Sequence, residues 1–364
     1  MKSFMYVRAH SVDEATAAHA GHATSRYLGG GTNLVDLMKL GVERPETLVD
    51  VSRLPLDSVE ELADGSVRAG AMVRNSDLAA HPLVRDRYPV LAQALLSGAS
   101  GQLRNMATTG GNLLQRTRCP YFQDLGKPCN KREPGSGCGA REGVHRDHAV
   151  LGHSQQCIAT HPSDMAVALA ALDARVELQG AQGARTLAVA EFHRLPGDRP
   201  EVDTEIAPGE LITGVLIPPV ASGVVSAYRK ARDRASYAFA LASVAVVLGV
   251  RDGVVEEVRI AFGGLAHRPW RARRAEEVLL GAAPREEVFL RAVEAELAEA
   301  VPLRDNGFKV RLARNLACDV LRRLADSPSS PAFPSSPDSP SSPDSPSSPG
   351  SPGSPSSPGS PAAS

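Results

Sequence analysis

The chain has 364 residues, 42% of them hydrophobic and 22% charged, and its formal net charge is −1 at pH 7. A nearly neutral chain offers no basic surface for nucleic acid, and without a run of about 18 apolar residues we expect no membrane span. Met1–Met5 carries one charge and no apolar stretch, so we expect no secretory signal of the chain's own. The expected location is cytoplasmic, or periplasmic by co-export with a signal-bearing partner.

The N-terminal region predicts a strand, a glycine turn and a helix in succession. Ser11 to Glu14 form a capping box that predicts a short helix through about Ala20. A strand over 26–28 leads into the turn Gly29-Gly30-Gly31-Thr32-Asn33 and then into a helix over 34–40. Glycines allow close backbone approach and a helix N-terminus favours an anion, so this turn could hold a phosphate. More often such a turn only connects a strand to a helix. Its sequence also lacks the G-x-G-x-x-G pattern of Rossmann dinucleotide-binding folds.

A second loop of small residues begins at Gly98 and ends with Thr108-Thr109-Gly110-Gly111-Asn112. The pattern before it predicts strands over 47–51 and 67–73, a helix capped by 75–77 and a buried helix over 90–96. Two such loops, far apart in sequence, could hold the two ends of one extended ligand that contains a pyrophosphate.

Four of the five cysteines follow in one segment: Cys119, Cys129, Cys138 and Cys157. They are separated by 9, 8 and 18 residues without a C-x-x-C pair, so each ligand would come from a different stretch of a loop rich in proline and glycine. Iron–sulfur clusters are held by four thiolates, whereas Cys₄ zinc usually takes its ligands in close pairs. The spacing alone leaves a cluster, a zinc ion and unliganded thiols open.

The cysteine segment is also rich in cations and histidines. Four basic side chains could offset the charge of a thiolate cage: Arg118, Lys127, Lys131 and Arg132. Because four cysteines already fill a site, we interpret the histidines as loop residues or neighbours of the metal rather than ligands: His145, His148, His153 and His161. Cys318 lies in a helical run over 312–324, where we expect a buried apolar thiol.

The rest of the body alternates strands and helices. Ser163 is positioned to cap a helix over 164–172, and a strand follows over 175–179. Further strands are predicted over 224–229, 240–250 and 254–262, and helices over 271–280, 286–300 and 310–324. Strands followed by helices favour an α+β layer with the helices on one face of the sheet.

The last segment has a different composition. From Pro328 to Pro361 every third residue is proline, and Asp338 and Asp344 are its only charges. Proline at this spacing removes backbone donors and favours polyproline II, so no packed core can form. We predict a disordered Ser/Pro-rich tail over 327–364, with docking to a proline-binding groove as the less common alternative.

Both glycine loops resemble motifs of a known family. Gly30-Gly31-Thr32-Asn33 and Arg104-Asn105-x-Ala107-Thr108-x-Gly110-Gly111-Asn112 resemble the flavin-binding subunit of molybdenum hydroxylases, which include xanthine dehydrogenase, carbon monoxide dehydrogenase and aldehyde oxidoreductases. The resemblance covers residues 1–326 and extends to Lys230, to Gly263–Trp270 and to Asp305-Asn306-Gly307-Phe308-Lys309, where Phe308 replaces a tyrosine. The cysteine insert is similar to that of periplasmic-type bacterial aldehyde oxidoreductases, whose flavin subunit carries one [4Fe-4S] cluster besides FAD.

This resemblance implies an α+β fold. Two N-terminal α/β subdomains of the PCMH type would bind FAD, over 1–53 and 54–220, and the second would contain a cluster insert over 116–160. A sheet-and-helix domain of the carbon monoxide dehydrogenase flavoprotein type would follow over 221–326. FAD would lie between the first two parts and touch the third.

The resemblance also implies site residues. The FAD contacts would be Arg26, Tyr27, Leu28, Gly29, Gly30, Gly31, Thr32, Asn33, Leu34, Thr108, Gly111, Asn112, Asp164, Ile212 and Lys230. The [4Fe-4S] ligands would be Cys119, Cys129, Cys138 and Cys157, and no catalytic residue is assigned. Without the family, Asp164 would be only a first-turn carboxylate that favours the helix dipole, and Lys230 only a solvated lysine in a basic stretch.

The implied function is electron transfer within a multi-subunit molybdenum-dependent aldehyde oxidoreductase or xanthine dehydrogenase-type enzyme. The expected partners are a molybdenum-cofactor catalytic subunit and a [2Fe-2S] subunit in a heterotrimer, and electrons would pass from the [2Fe-2S] clusters through FAD to an external acceptor that the sequence does not identify. We expect the [4Fe-4S] cluster to be mainly structural, or its insert to shield the flavin face where other members bind NAD. The alternatives are a self-contained FAD oxidase of small molecules and a zinc-stabilised assembly module.

Overall fold

The N-terminal part is a small parallel sheet with two helices. A computed structural model describes residues 1–22 and 24–327, so the predicted tail lies outside the described residues from residue 328 onward. The elements of the first part are β1 (Met5–Arg8), α1 (Val12–Ala20), β2 (Ser25–Leu28), α2 (Leu34–Lys39) and β3 (Thr47–Asp50). β3 pairs in parallel with both other strands and is buried throughout. The predicted cap at Ser11 is confirmed, since Ser11 Oγ accepts from the Glu14 N–H at 3.0 Å. The Glu14 carboxylate accepts from the N–H of His10 and not from that of Ser11, so the capping box is only half formed.

The middle part combines an antiparallel sheet with short helices. Its strands, in the spatial order β4-β5-β8-β6-β7, are β4 (Val59–Glu61), β5 (Val67–Gly70), β6 (Arg175–Gly180), β7 (Gly183–Ala188) and β8 (Leu211–Ile217). The helices are α3 (Asn75–Ala80), α4 (Pro82–Arg87), α5 (Pro89–Ser97), α6 (Gly101–Arg104), α7 (Thr109–Leu113), α8 (Pro120–Gln123), α9 (Gly139–Glu142), α10 (Asp164–Ala171) and α11 (Val189–Phe192). α5 and α10 pack together in the core that the sheet covers.

The C-terminal part is an antiparallel sheet between two sets of helices. Its elements are β9 (Val224–Ala231), β10 (Ala242–Arg251), β11 (Val254–Gly263), β12 (Trp270–Arg271), α12 (Arg273–Leu279), α13 (Glu286–Leu297) and α14 (Phe308–Ala325), with the strand order β12-β11-β10-β9. The helices of this part lie on one face of its sheet as predicted, because α12, α13 and α14 share one core with that face. The other face is also covered, by α5 and α10 of the middle part.

The residues of β10 show why both faces are covered. Val244 and Val246 belong to the core formed with α12–α14, whereas Ala245 and Val247 belong to the core formed with α5 and α10. Because successive strand residues point to opposite faces, the unbroken apolar run of β10 is the pattern of a strand buried on both sides.

Several local predictions need correction. The strand predicted to end at residue 73 ends at Gly70. Asn75 does not cap α3 but begins it, because Arg74 is the N-cap residue and forms no side-chain capping bond. Cys318 is only partly buried and lines a shallow surface groove with Leu290, so it is not a core thiol. The cysteine segment is mostly loop as predicted, apart from the single turns α8 and α9.

The predicted domain limits, 1–53, 54–220 and 221–326, stay predictions. None of the helices formed by residues 1–22 and 24–327 combines the length and the apolar character needed to cross a bilayer.

Candidate functional site

The two glycine loops lie directly against each other. A Cβ atom at Gly30 would lie 1.9 Å from the carbonyl oxygen of Met106, and one at Gly29 would lie 3.1 Å from Thr108 Oγ1. Gly31 has a φ of +73°, which favours glycine. The sequence therefore needs glycine here because backbone meets backbone, and the contact brings two loops that are far apart in the chain to one place.

The second loop is fixed by its own side chains. Thr108 caps α7, with Oγ1 accepting from the Gly111 N–H at 3.2 Å. Asn112 Oδ1 accepts from Ser163 Oγ at 2.6 Å, and Ser163 also caps α10 by accepting from the Ala166 N–H at 2.9 Å. The predicted cap at Ser163 is thus confirmed, and the same hydroxyl joins the loop to the helix that carries Asp164.

A cavity of about 340 Å³ lies beside the loops, within the usual range of small-molecule sites. Six of the predicted FAD contacts line it: Thr32, Asn33, Gly111, Asn112, Asp164 and Lys230. Asn33 Nδ2 is buried without a hydrogen-bond partner among the described residues, so it is a donor available to a ligand. Tyr237 and Phe239, which are not among the predicted contacts, also line the cavity; nothing in their local sequence pattern places their loop here.

Lys230 and Asp164 form a buried ion pair at the edge of this cavity. Lys230 Nζ lies 2.7 Å from Asp164 Oδ2, and it also donates to the Ser97 carbonyl at 3.2 Å. Tyr228, two residues earlier on β9 and therefore on the same face, donates its hydroxyl to Asp164 Oδ1. Burial and the Asp164 carboxylate raise the pKa of the Tyr228 phenol well above its usual value, so the phenol stays a donor.

The other predicted FAD contacts do not line the cavity. Ile212 lies in β8 with its side chain buried, and Gly110 packs over it. Tyr27 stacks on His19 at 4.3 Å between ring centroids and donates to the Gly209 carbonyl at 3.1 Å. Roles for Ile212 and Tyr27 stay predictions, as do those of the remaining loop residues: Arg26, Leu28, Gly29, Gly30, Gly31, Leu34 and Thr108.

The four cysteines of the insert line one small cavity: Cys119, Cys129, Cys138 and Cys157. Cys129 and Cys138 pair as an isolated antiparallel bridge across a turn in which Gly135 and Gly137 have φ values of +88° and +97°. Asn130 ties this turn to the fourth cysteine, because its Nδ2 donates to the Gln156 carbonyl at 3.1 Å and its Oδ1 accepts from the Gly137 N–H at 2.8 Å.

Burial keeps the thiols of Cys119 and Cys157 protonated in the absence of a metal. Burial raises the pKa of Cys119 to about 12 and that of Cys157 to about 11. A bound metal centre would displace these protons, because coordinated thiols are deprotonated. The Ala159 N–H donates to Cys157 Sγ at 3.5 Å, and His148 Nε2 lies 3.2 Å from Cys119 Sγ. Within the described ranges, however, no three His, Cys, Asp or Glu side chains are grouped so as to hold a metal ion.

Of the four cations predicted to offset the thiolate charge, Lys131 is almost fully buried. Its Nζ donates to Asp203 Oδ1 and to the Pro200 carbonyl. Burial acts to raise the pKa of the Asp203 carboxyl, but the charges of Lys131 and Arg116 lower it by more. The pKa of Asp203 is therefore well below its usual value. The pairing of Asp203 with Lys131 has no sequence signal, because the two residues are 72 positions apart.

A second cavity, of about 570 Å³, joins the two sites. Cys119 lies on its wall, and so does Asp164 of the first cavity. Arg118 and Phe239 line both cavities, and the Arg118 guanidinium lies 5.2 Å from the centroid of the Phe239 ring. The cysteine site and the glycine-loop site therefore form one continuous region of the molecule.

Comparisons with known proteins identify the family. Residues 2–220 match the FAD binding domain in molybdopterin dehydrogenase, and residues 226–327 match the CO dehydrogenase flavoprotein C-terminal domain. The chain is 51% identical to the aldehyde oxidoreductase FAD-binding subunit PaoB of Escherichia coli strain K12 over 322 residues, which cover 88% of this chain and 98% of that protein. It is 29% identical to the glyceraldehyde dehydrogenase medium chain of Sulfolobus acidocaldarius, over 76% of this chain and 81% of that one.

A solved structure shows the same fold. The match to a carbon monoxide dehydrogenase from Hydrogenophaga pseudoflava has a TM-score of 0.71 at 27% identity and covers 89% of this chain and 97% of that chain. The predicted family and the predicted fold class are confirmed. The chain therefore belongs to the FAD-binding subunits of the molybdenum hydroxylase family, as an oxidoreductase subunit.

Proposed function

We propose that this chain is the FAD- and [4Fe-4S]-containing electron-transfer subunit of a molybdenum-dependent aldehyde oxidoreductase. Its partners are a molybdenum-cofactor catalytic subunit, on which the aldehyde is oxidised, and a [2Fe-2S] subunit, in a heterotrimer. FAD, when bound, takes electrons from the partner's [2Fe-2S] clusters and releases them to an external acceptor. The aldehyde assignment is supported by the 51% identity to a protein named as an aldehyde oxidoreductase FAD-binding subunit.

The glycine loops provide the hold on FAD. Their backbones approach each other at Gly30 and Met106 without side chains between them. In the second loop the N–H groups of Thr109 to Asn112 already donate within the protein, so main-chain donors to a pyrophosphate would come from the first loop. Asn33 contributes the buried amide that has no partner among the described residues. These features fit a dinucleotide whose charged bridge lies across both loops.

We assign to Lys230 the stabilisation of negative charge on the reduced flavin. An ammonium group has three hydrogens, and Asp164 and the Ser97 carbonyl accept two of them. The third hydrogen has no partner among the described residues and would be donated to the ring. A cation in that position stabilises negative charge on the reduced flavin, and Asp164 keeps the ammonium oriented.

The cluster rests on a single observation: four thiols from different stretches of loop line one cavity. A [4Fe-4S] cluster, when bound, would add a one-electron site beside the flavin. Cys₄ zinc usually takes its ligands in close pairs along the chain, whereas these four thiols come from separate stretches of one loop segment. We therefore favour a cluster over a single zinc ion.

The test is the composition of the holoenzyme. The heterotrimer is purified from iron-replete cells, and FAD, iron, zinc and acid-labile sulfide are measured together with the visible spectrum. We expect one FAD and the iron and sulfide of one [4Fe-4S] cluster beyond the [2Fe-2S] content. Cys129→Ser should lose this increment, and Cys318→Ser, outside the cavity, should keep it. FAD without the increment overturns the cluster, zinc in its place supports the assembly-module alternative, and aldehyde turnover by this chain alone supports the oxidase alternative.

A further inference from the structure

Residues 304–309, which end the loop before α14 and begin that helix, contact one segment of the cysteine insert. Arg304 Nη2 donates to the Gly143 carbonyl at 3.0 Å, and the Asp305 N–H donates to His145 Nε2 at 3.1 Å. The guanidinium of Arg146 lies 5.1 Å from the centroid of the Phe308 ring. The C-terminal part of the chain is therefore attached to the stretch between Cys138 and Cys157.

Two side chains of this segment are fully buried, and both bind the backbone at His148. Asn306 Nδ2 donates to the carbonyls of His148 and Ala149 at 3.4 and 3.1 Å. Lys309 Nζ donates to the carbonyls of Asp147 and His148 at 3.1 and 2.9 Å and to that of Gly264. An ammonium group at this position has an acceptor for each of its three hydrogens, and burial lowers the pKa of Lys309 to about 7.

The backbone that these two side chains hold carries a ring that faces a cysteine. His148 is buried, and its Nε2 lies 3.2 Å from Cys119 Sγ, within hydrogen-bond reach of a sulfur. A metal-bound thiolate can only accept a hydrogen bond. Whatever the charge of the ring, Nε2 must then carry the hydrogen that points at Sγ.

We propose that His148 is a positioning residue that donates a hydrogen bond to the metal-bound thiolate of Cys119, and that Asn306 and Lys309 hold it in place. The inference rests on the proposed cluster. It assigns a role to the Asp305–Lys309 motif, which lies in the C-terminal domain and outside the insert.

The consequence is electrochemical. A hydrogen bond to a ligand sulfur stabilises the more negatively charged, reduced form of a cluster and raises its reduction potential. A leucine at position 148 would fill a similar space but donate nothing, so the potential of the cluster should fall. Asn306 acts only through His148, so its removal should have no further effect once the imidazole is gone.

The test is an EPR-monitored redox titration of the holoenzyme. His148→Leu should shift the potential of the [4Fe-4S] cluster to more negative values, with iron, sulfide and the FAD potential unchanged. His148→Gln, which retains an N–H donor, should shift it less. His153→Leu is the matched control, because His153 lies on the same segment but donates to the Val301 carbonyl and not to a cysteine; it should leave the potential at the wild-type value.

The role of Asn306 in holding His148 is tested by Asn306→Ala alone and combined with His148→Leu. The single variant should shift the potential in the same direction, and the double variant should match His148→Leu alone. A wild-type potential in a fully loaded His148→Leu enzyme overturns the inference. If that variant binds no iron, Asn306→Ala decides: a negative shift supports the inference, and a wild-type potential overturns it. A wild-type enzyme without the extra iron and sulfide overturns the proposed cluster itself, before any variant is made.

Discussion

Lys230 and Asp164, which are 66 residues apart, form an ion pair of 2.7 Å whose side chains are 3% and 8% exposed. Such a pair gains little net stability from its formation, because desolvation offsets the attraction between the charges. Removal of one member is different, since it leaves the other charge buried and unpaired. A buried pair at the edge of the glycine-loop cavity is therefore better explained by a ligand that uses the cation than by the stability of the fold.

Lys230→Met should weaken both the fold and the binding of FAD. We expect a loss of about 3–5 kcal/mol in the free energy of unfolding from the unpaired Asp164, and a lower FAD content in the purified holoenzyme. The double variant Lys230→Met/Asp164→Asn removes both charges and keeps an acceptor for the Tyr228 hydroxyl. It should recover most of the stability but not the FAD content; recovery of both would show that the lysine serves only the fold.

Gly30→Ala should separate the two loops. The added Cβ would lie 1.9 Å from the Met106 carbonyl oxygen, which is backbone and cannot move without displacing the second loop. We expect most of the FAD to be lost while the complex still assembles, as measured by flavin released per chain. Gly101→Ala is the control, because a Cβ there meets nothing within 4 Å. Full FAD content in Gly30→Ala would contradict the assignment of these loops to the cofactor.

The sequence predicted those features that depend on neighbours in the chain. The caps at Ser11 and Ser163, the strand–turn–helix unit over 25–39 and three of the four strands of the C-terminal sheet follow from local residue preferences and periodicity. The unbroken apolar run of β10 is the pattern of a strand buried on both faces, but it does not tell what packs on each face. Only the tertiary structure shows that α5 and α10 cover the second face.

The same limit applies to the site. The sequence identified both glycine loops and all four insert cysteines. It did not indicate that the Met106 backbone lies against Gly30, that Asp203 pairs with Lys131, or that Phe239 lines the cavity. Such contacts join residues tens of positions apart, and no spacing rule relates them. Cys318 was misjudged because helical periodicity does not distinguish a core face from a face that is half covered.

Asp203→Asn should loosen the cysteine insert. The substitution keeps the shape of the side chain but removes the charge next to the buried Lys131 ammonium. Because Asp203 is itself partly exposed, we expect a loss near the lower end for a buried pair, about 3 kcal/mol. The midpoint temperature of thermal unfolding and the iron content of the holoenzyme should both fall. Asp198→Asn, an exposed aspartate in the same loop, should change neither, and an unaffected Asp203→Asn would show that the pair does not secure the insert.

Two buried histidines should make the stability of the chain depend on pH. Burial lowers the pKa of His193 and of His267 to about 4, whereas in the unfolded chain a histidine titrates near 6.5. Between these values the unfolded state binds more protons, so stability decreases as pH falls from about 6.5 toward 4. Each histidine should contribute a loss of about 2 kcal/mol between pH 7 and pH 5.

Glutamine variants isolate this effect. His193 Nε2 lies 2.8 Å from the Leu113 carbonyl and His267 Nδ1 lies 3.1 Å from that of Arg194, so a glutamine amide can keep either hydrogen bond. Urea unfolding of the FAD-loaded chain, followed by the fluorescence of its single tryptophan, Trp270, gives the free energy at each pH. His193→Gln and His267→Gln should each flatten the decline between pH 7 and pH 5, and the double variant should flatten it more than either single variant. An equal decline in the wild type and the double variant would mean that both rings take up their protons without unfolding.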